Sequence, residues 1–131
     1  KERIRSTGSG NMRARIFDLE HEDLHGEKFD LIITQMVLHH VNDVQTIFRR
    51  FSELLNTGGY LAIADLYIED GTFHGEGFTG HKGFNPDKLA VSLSELGFTD
   101  ISDRKCFVIN KKITGTLTKQ FDVFLLTARK K

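Results

Sequence analysis

The feature that most constrains the fold is a strand, helix and strand pattern over residues 29–66. The run "FDLIIT", residues 29–34, is short and almost continuously apolar, as in parallel strands that are covered on both faces. "YLAIADL", residues 60–66, is a second run of this kind. Because a helix separates them, the two strands are predicted to be parallel, with a right-handed crossover. The pattern therefore predicts an α/β fold.

The intervening helix is the most regular one in the sequence. Asn42 or Asp43 is the predicted cap, and Gly58 with Gly59 is the predicted end. The apolar residues that recur at helical spacing are Val44, Ile47, Phe48, Phe51, Leu54 and Leu55.

Further elements flank this unit. "MRARIF", residues 12–17, alternates apolar and basic residues and predicts a first strand. Asn85 is predicted to cap a second helix that Gly97 ends. Two strands, "FTDISDRKCFVI" and "FDVFLLTA", then predict an antiparallel hairpin. No internal repeat appears, and residues 1–131 are predicted to form a single domain.

Composition and charge exclude several classes of partner. Eighteen basic residues balance eighteen acidic ones without a basic stripe, so no nucleic acid is expected as a ligand. No apolar run approaches eighteen residues, and no signal peptide is recognised, which predicts no membrane association and a cytoplasmic location. Cys106 is the one cysteine, and its apolar surroundings predict a packed thiol rather than a nucleophile.

Polar residues follow three of the predicted strands. Asp18, Gln35 and Asp65 each lie at a strand end, where ligands of open parallel sheets bind. For each residue alone, a cap or turn acceptor is the alternative interpretation. Their agreement favours one crevice lined by two carboxylates and an amide.

Several of these segments together resemble a known family. "FDLIITQMVLHHVND", "LNTGG", "YLAIADL", "GHKGFNPDKLAVSLSELGF" and "FDVFLLTARK" resemble the C-terminal part of class I S-adenosylmethionine-dependent methyltransferases. The resemblance runs from Met12 onward and is greatest to small-molecule enzymes of the ubiquinone-biosynthesis type. It implies a Rossmann-like sheet, mostly parallel, with helices on its faces. It also implies that the antiparallel strand "FDVFLLTA" lies between "YLAIADL" and "CFVI".

The resemblance implies a set of cofactor-binding residues. Asp18 corresponds to the acidic residue that accepts from the adenine amino group, and Leu19 lines the base. Gln35 and Met36 fall near the methyl donor. S-adenosylmethionine is the implied cofactor, and a small molecule is the implied substrate.

Two adjacent histidines are candidates for the substrate side of this site. His39 and His40 open the turn after "FDLIIT", and either is a candidate proton acceptor, with packing or backbone bonding as the alternative. His74 and His81 lie in the loop that covers the substrate in this family, and are interpreted as surface residues. The adjacent pair lacks i, i+4 spacing and the chain has one cysteine, so no metal site is predicted.

The sequence departs from the family in one respect. A glycine-rich loop and a ribose-binding acidic residue usually hold the cofactor, and "TGSGNM" does not match because a strand follows it rather than a helix. The chain is therefore interpreted as a truncated methyltransferase sheet with weak or absent cofactor binding. The alternatives are a non-catalytic binding or oligomerisation module and an unrelated nucleotide-binding domain.

Truncation of the sheet would leave one edge of "FDLIIT" bare. An unpaired apolar edge invites further pairing, either with "MRARIF" of the same chain or with a second copy. Direct pairing within the chain is favoured, and a homodimer is the second possibility.

Overall fold

A four-stranded mixed sheet with two helices forms the part of the chain that the computed structural model describes, residues 26, 28–41, 43–75 and 80–131. The predicted strand at residues 12–17 lies outside this part. In chain order the elements are β1 (Phe29–Gln35), α1 (Val44–Leu54), β2 (Leu55–Leu66), α2 (Pro86–Glu95), β3 (Phe98–Lys112) and β4 (Thr118–Lys130).

The strand order of the sheet is β1-β2-β4-β3. β1 is parallel to β2, and β4 is antiparallel to both β2 and β3. This order confirms the prediction that "FDVFLLTA" lies inside the sheet. Its side chains are buried on both faces, with Phe124 and Leu126 in one apolar cluster and Phe121 and Val123 in another.

Both helices contribute to the larger cluster, on one face of the sheet. The expected placement of helices on both faces is therefore not met by α1 and α2. The side chain of Asp43 caps α1 by accepting from the Thr46 amide at 3.1 Å, and Asn85 caps α2 through the Asp87 amide at 2.9 Å. Helix residues in this cluster are Ile47, Phe48, Phe51, Leu89 and Leu93.

The smaller cluster lies on the opposite face. Leu66, Phe121 and Val123 are its buried members, and Met36 and Phe73 pack against them. This cluster joins the ends of β1 and β2 to the loop that follows β2.

The predicted end of the first helix is wrong. α1 ends at Leu54, and Leu55 already has extended backbone with a fully buried side chain, so β2 begins without a connecting loop. Gly58 and Gly59 lie in a bulge of β2, where a side chain on Gly59 would press against the carbonyl oxygen of Asp30 in β1. The glycines thus permit close strand approach and do not terminate the helix.

Two burial predictions also fail. Leu31 and Ile33 of β1 are 54% and 67% exposed, so the described parts of the chain cover only one face of this strand. Cys106 is exposed rather than packed, and it lies at an irregularity in the β3–β4 pairing. Within the described ranges, no helix is long and apolar enough to span a membrane.

Candidate functional site

The site begins where β1 ends. Met36 follows the strand with a φ of 54°, a conformation that is uncommon for residues other than glycine, and its amide donates to the carbonyl of Ala64 at 2.8 Å. A short 3-10 helix, Leu38–His40, comes next. Leu38 and His39 are buried while His40 is exposed, so the two adjacent histidines have different environments.

His39 is paired with Asp65 of β2. The ring nitrogen Nδ1 of His39 lies 2.6 Å from Oδ1 of Asp65, and the two side chains are 1% and 0% exposed. Asp65 also accepts from the backbone amide of His39 at 3.2 Å and from that of Leu66 at 2.8 Å. These hydrogen bonds satisfy a buried carboxylate that would otherwise be costly to desolvate.

The position of Asp65 follows from strand alternation. Leu61, Ile63 and Asp65 occupy alternate positions of β2 and are all buried. An ionised carboxylate only accepts hydrogen bonds, so Nδ1 of His39 carries the proton in this pair and Nε2 keeps its lone pair. The pairing therefore prepares Nε2 to accept a proton or to ligate a metal ion.

His74 reaches the site from the loop after β2. The neighbouring Phe73 packs edge-on against Phe121, with ring centroids 5.0 Å apart. Lys111 lies over the Phe73 ring and donates a hydrogen bond to the backbone carbonyl of Phe73. The carboxylate of Glu69 accepts from the amides of Gly71 and Phe73 at 2.6 and 3.3 Å. These contacts hold the turn that carries His74.

Three imidazole rings meet at this point. The ring centroid of His39 lies 4.3 Å from that of His40 and 4.9 Å from that of His74, and the His40 and His74 centroids are 5.2 Å apart. The potential ligand atoms of the three side chains all lie within 4.8 Å of one another. We call His39, His40 and His74 the histidine cluster.

The environment of His74 favours its neutral form. Burial, together with the nearby His39, His40 and Lys111, lowers the pKa of His74 below its ordinary value of 6.5, and Glu69 opposes the effect. A neutral imidazole both accepts protons and ligates metal ions.

The other residues predicted for the site are placed unequally. Gln35 is an exposed residue at the end of β1, opposite Ala64, and Met36 is half-buried against the smaller apolar cluster. Asp18 and Leu19 lie outside the described residues. The structure thus brings His39, His40 and His74 together with Asp65. It places Gln35 and Met36 at the end of β1.

Two features of this arrangement were not predicted from the sequence. Asp65 was expected in the crevice but not as the partner of His39, although a lone carboxylate in an apolar strand at a buried position indicates such a partner. His74 is half-buried rather than on the surface, and no spacing rule relates it to His39. The amide of His81, by contrast, donates to the carbonyl of His39 at 2.9 Å, and its ring packs on Phe84.

Comparison with known proteins identifies the family. A profile described as a methyltransferase domain matches residues 1–114. The chain belongs to this family. An uncharacterized methyltransferase of Schizosaccharomyces pombe is 31% identical over 104 residues, which is 67% of this chain and 37% of the relative. The chain therefore spans little more than a third of that curated relative.

Solved structures agree on the α/β methyltransferase fold. The YcgJ protein of Bacillus subtilis has a TM-score of 0.77 at 12% identity, over 98% of this chain and 75% of its own. The N-methyltransferase NodS of Bradyrhizobium japonicum, in complex with S-adenosylhomocysteine, has a TM-score of 0.66 at 20% identity, over 97% of this chain and 58% of its own. At these identities the likeness establishes the fold alone.

Proposed function

We propose that this chain provides the acceptor side of an S-adenosylmethionine-dependent methyltransferase that acts on a small molecule. The observation that carries the proposal is the buried His39–Asp65 pair, with Nδ1 and Oδ1 2.6 Å apart, at the end of a β1 strand in a methyltransferase-family fold. A histidine in this arrangement is suited to remove a proton from a hydroxyl or amine as it is methylated.

The chemistry of the His39–Asp65 pair follows from its hydrogen bonds. Asp65 fixes the proton of His39 on Nδ1, so the lone pair on Nε2 takes the proton that the acceptor loses. The carboxylate then stabilises the imidazolium, as in other histidine–carboxylate pairs. His40 is exposed beside this ring and is proposed to contact the acceptor.

S-adenosylmethionine, when bound, supplies the electrophilic methyl group, and the acceptor oxygen or nitrogen forms the new bond as the sulfur–carbon bond breaks. The proposed holders of its methionine part are the exposed amide of Gln35 and the half-buried thioether of Met36. These adjacent polar and apolar side chains suit the methionine part of the cofactor, which has both polar and apolar groups. Asp18 and Leu19 are proposed to bind the adenine.

The length of the chain affects how tightly it is expected to bind the cofactor on its own. We take the described sheet as the C-terminal part of a larger Rossmann-like sheet, since the chain spans 37% of the curated relative and 58–75% of the two structures compared. The ubiquinone-biosynthesis-like subtype is part of this proposal, and "LHHV" and "GGYLAIAD" are the most specific pieces of the resemblance behind it. Cofactor affinity is accordingly expected to be low.

The test measures formation of S-adenosylhomocysteine by the purified chain with millimolar cofactor, a metal chelator and a panel of phenols and amines. We expect slow turnover that depends on the acceptor. His39→Gln should lower the rate by about a hundredfold or more because it removes the imidazole, and Asp65→Asn should lower it by a similar factor because it removes the carboxylate charge that stabilises the imidazolium. Asp122→Asn is the matched control, since Asp122 is an exposed aspartate of β4.

Two results would overturn the proposal, provided that circular dichroism shows the variants to be folded. Turnover that is equal in wild type and His39→Gln would remove His39 from the reaction. No product at any cofactor concentration would favour the alternative function, a non-catalytic binding or oligomerisation module.

A further inference from the structure

We propose that the histidine cluster binds a divalent transition metal ion. The structure brings His74 to the adjacent His39 and His40, so three imidazoles converge with their potential ligand atoms within 4.8 Å of one another. The sequence-based expectation of no metal site rested on the spacing of the adjacent pair and on the single cysteine. The third ligand comes from a loop that no spacing rule connects to the other two.

The donor set selects the class of ion. Three imidazole nitrogens without a carboxylate among them suit Zn²⁺, Co²⁺, Ni²⁺ or Cu²⁺, whereas Mg²⁺ and Ca²⁺ require oxygen ligands. Zinc–nitrogen bonds of about 2.0–2.1 Å in a tetrahedral site place ligand atoms roughly 3.3 Å apart. The cluster must therefore contract by at most about 1.5 Å from its separation of up to 4.8 Å.

The side chains that need to move are the less constrained ones. His40 is exposed and His74 is half-buried, so rotation of these two rings closes the cluster around an ion. His39 is fully buried and serves as the fixed ligand. Contraction thus requires side-chain rotation rather than a change in the sheet.

Asp65 supplies an independent indication of a metal site. Metal-binding histidines commonly donate their second ring nitrogen to a carboxylate, which fixes the tautomer and raises the basicity of the ligating nitrogen. Nδ1 of His39 lies 2.6 Å from Oδ1 of Asp65, and two backbone amides hold that carboxylate in place. Nε2 of His39 is consequently presented as a ligand before any ion arrives.

Three protein ligands leave a coordination position for water or for a small ligand, as in catalytic rather than structural zinc sites. The ion and a transferred proton both need the lone pair of His39 Nε2, so a bound ion prevents His39 from acting as the proton acceptor. Metal binding does not depend on the methyl transfer proposed above, and its test needs neither cofactor nor acceptor.

The test is a titration with Co²⁺, followed by visible absorption spectroscopy. The chain carries no histidine tag and is treated with a chelator beforehand. We expect one ion per chain with ligand-field bands that Zn²⁺ abolishes by competition. His40→Gln and His74→Gln should each weaken binding by about tenfold or more, because each removes one of three ligands and loss of an outer-shell partner alone costs about 10–100-fold. His81→Gln is the matched control because its ring packs on Phe84 outside the cluster, and it should bind as the wild type does.

The histidines outside the described residues need their own control. A double variant, His21→Gln with His25→Gln, should retain the wild-type affinity. Binding that persists in both His40→Gln and His74→Gln, or that is lost in the double variant, would overturn the proposal. Absence of saturable Co²⁺ binding by the wild type would also overturn it, whereas the methyl-transfer assay in chelator would be unaffected.

Discussion

At the scale of single residues, Asp65 is the side chain on which the site depends most. It is fully buried, and its oxygens accept from the ring and amide of His39 and from the amide of Leu66. Removing one member of a buried, hydrogen-bonded pair leaves the other groups without partners in an apolar environment.

We expect Asp65→Ala to lower the free energy of unfolding by about 3 kcal/mol, since it leaves a buried ring N–H and two amides unsatisfied. Asp65→Asn retains an acceptor and should cost less, about 1–2 kcal/mol. Urea denaturation measures both, with the exposed Asp122→Ala as a control close to wild type. Equal losses in Asp65→Ala and Asp122→Ala would contradict the buried pairing.

His74 gives the protein a pH dependence of known sign. Burial, His39, His40 and Lys111 lower its pKa in the folded state, with Glu69 opposing, so the unfolded chain binds a proton more readily. The stabilisation that neutral His74 provides is complete above pH 6.5, which is the pKa of this side chain in the unfolded state. It is lost as the pH falls below that value. In the presence of a chelator, the free energy of unfolding should therefore fall more between pH 7.5 and pH 5.5 for the wild type than for His74→Gln. Identical losses in the two proteins would disprove this.

At the scale of elements, the loop between β2 and α2 carries His74 to the site. Its two ends are fastened together by a bridge between Tyr67 and Phe84 and by a hydrogen bond of 2.8 Å from the Phe84 amide to the Leu66 carbonyl. Gly83 lies inside this closure with a φ of 82°. A side chain on Gly83 would overlap with the carbonyl of Tyr67.

We expect Gly83→Ala to lower the free energy of unfolding by about 3 kcal/mol or more, since strain from the positive φ adds to the steric overlap. Gly97→Ala is the matched control, because Gly97 also has a positive φ, of 94°, but has open space around it. It should cost only about 1–2 kcal/mol. Similar costs for the two variants, measured by thermal and urea unfolding, would show that the loop closure is not tight.

Sequence patterns predicted the elements better than their junctions. The family resemblance implied that β4 lies inside the sheet, and the apolar run "FDVFLLTA" agreed with this position, because both faces of the strand are buried. The junction between α1 and β2 was missed because burial of Leu55, a tertiary effect, ends the helix before the glycines. The His39–Asp65 contact joins residues 26 positions apart, and helical or strand periodicity carries no information over that separation.

At the scale of the whole molecule, we interpret no segment of residues 1–131 as the glycine-rich loop or the ribose-binding carboxylate that the family resemblance implies. We expect calorimetric titration with S-adenosylhomocysteine to give weak or no binding. A micromolar dissociation constant, about 8 kcal/mol of binding free energy, would show that the glycines near Gly8 and Gly10 had been misinterpreted. If binding is measurable, Asp18→Ala should weaken it more than His74→Ala does.

The interior position of β4 has a consequence for synthesis on the ribosome. β4 alone joins β3 to β2 in the described sheet, and it is made about 60 residues after β2 ends. At ordinary translation rates that delay lasts roughly 3–12 s. During this interval the nascent chain exposes the unpaired edge of β2, and near its end also that of β3, so the order of synthesis sets the period in which the chain needs protection from aggregation.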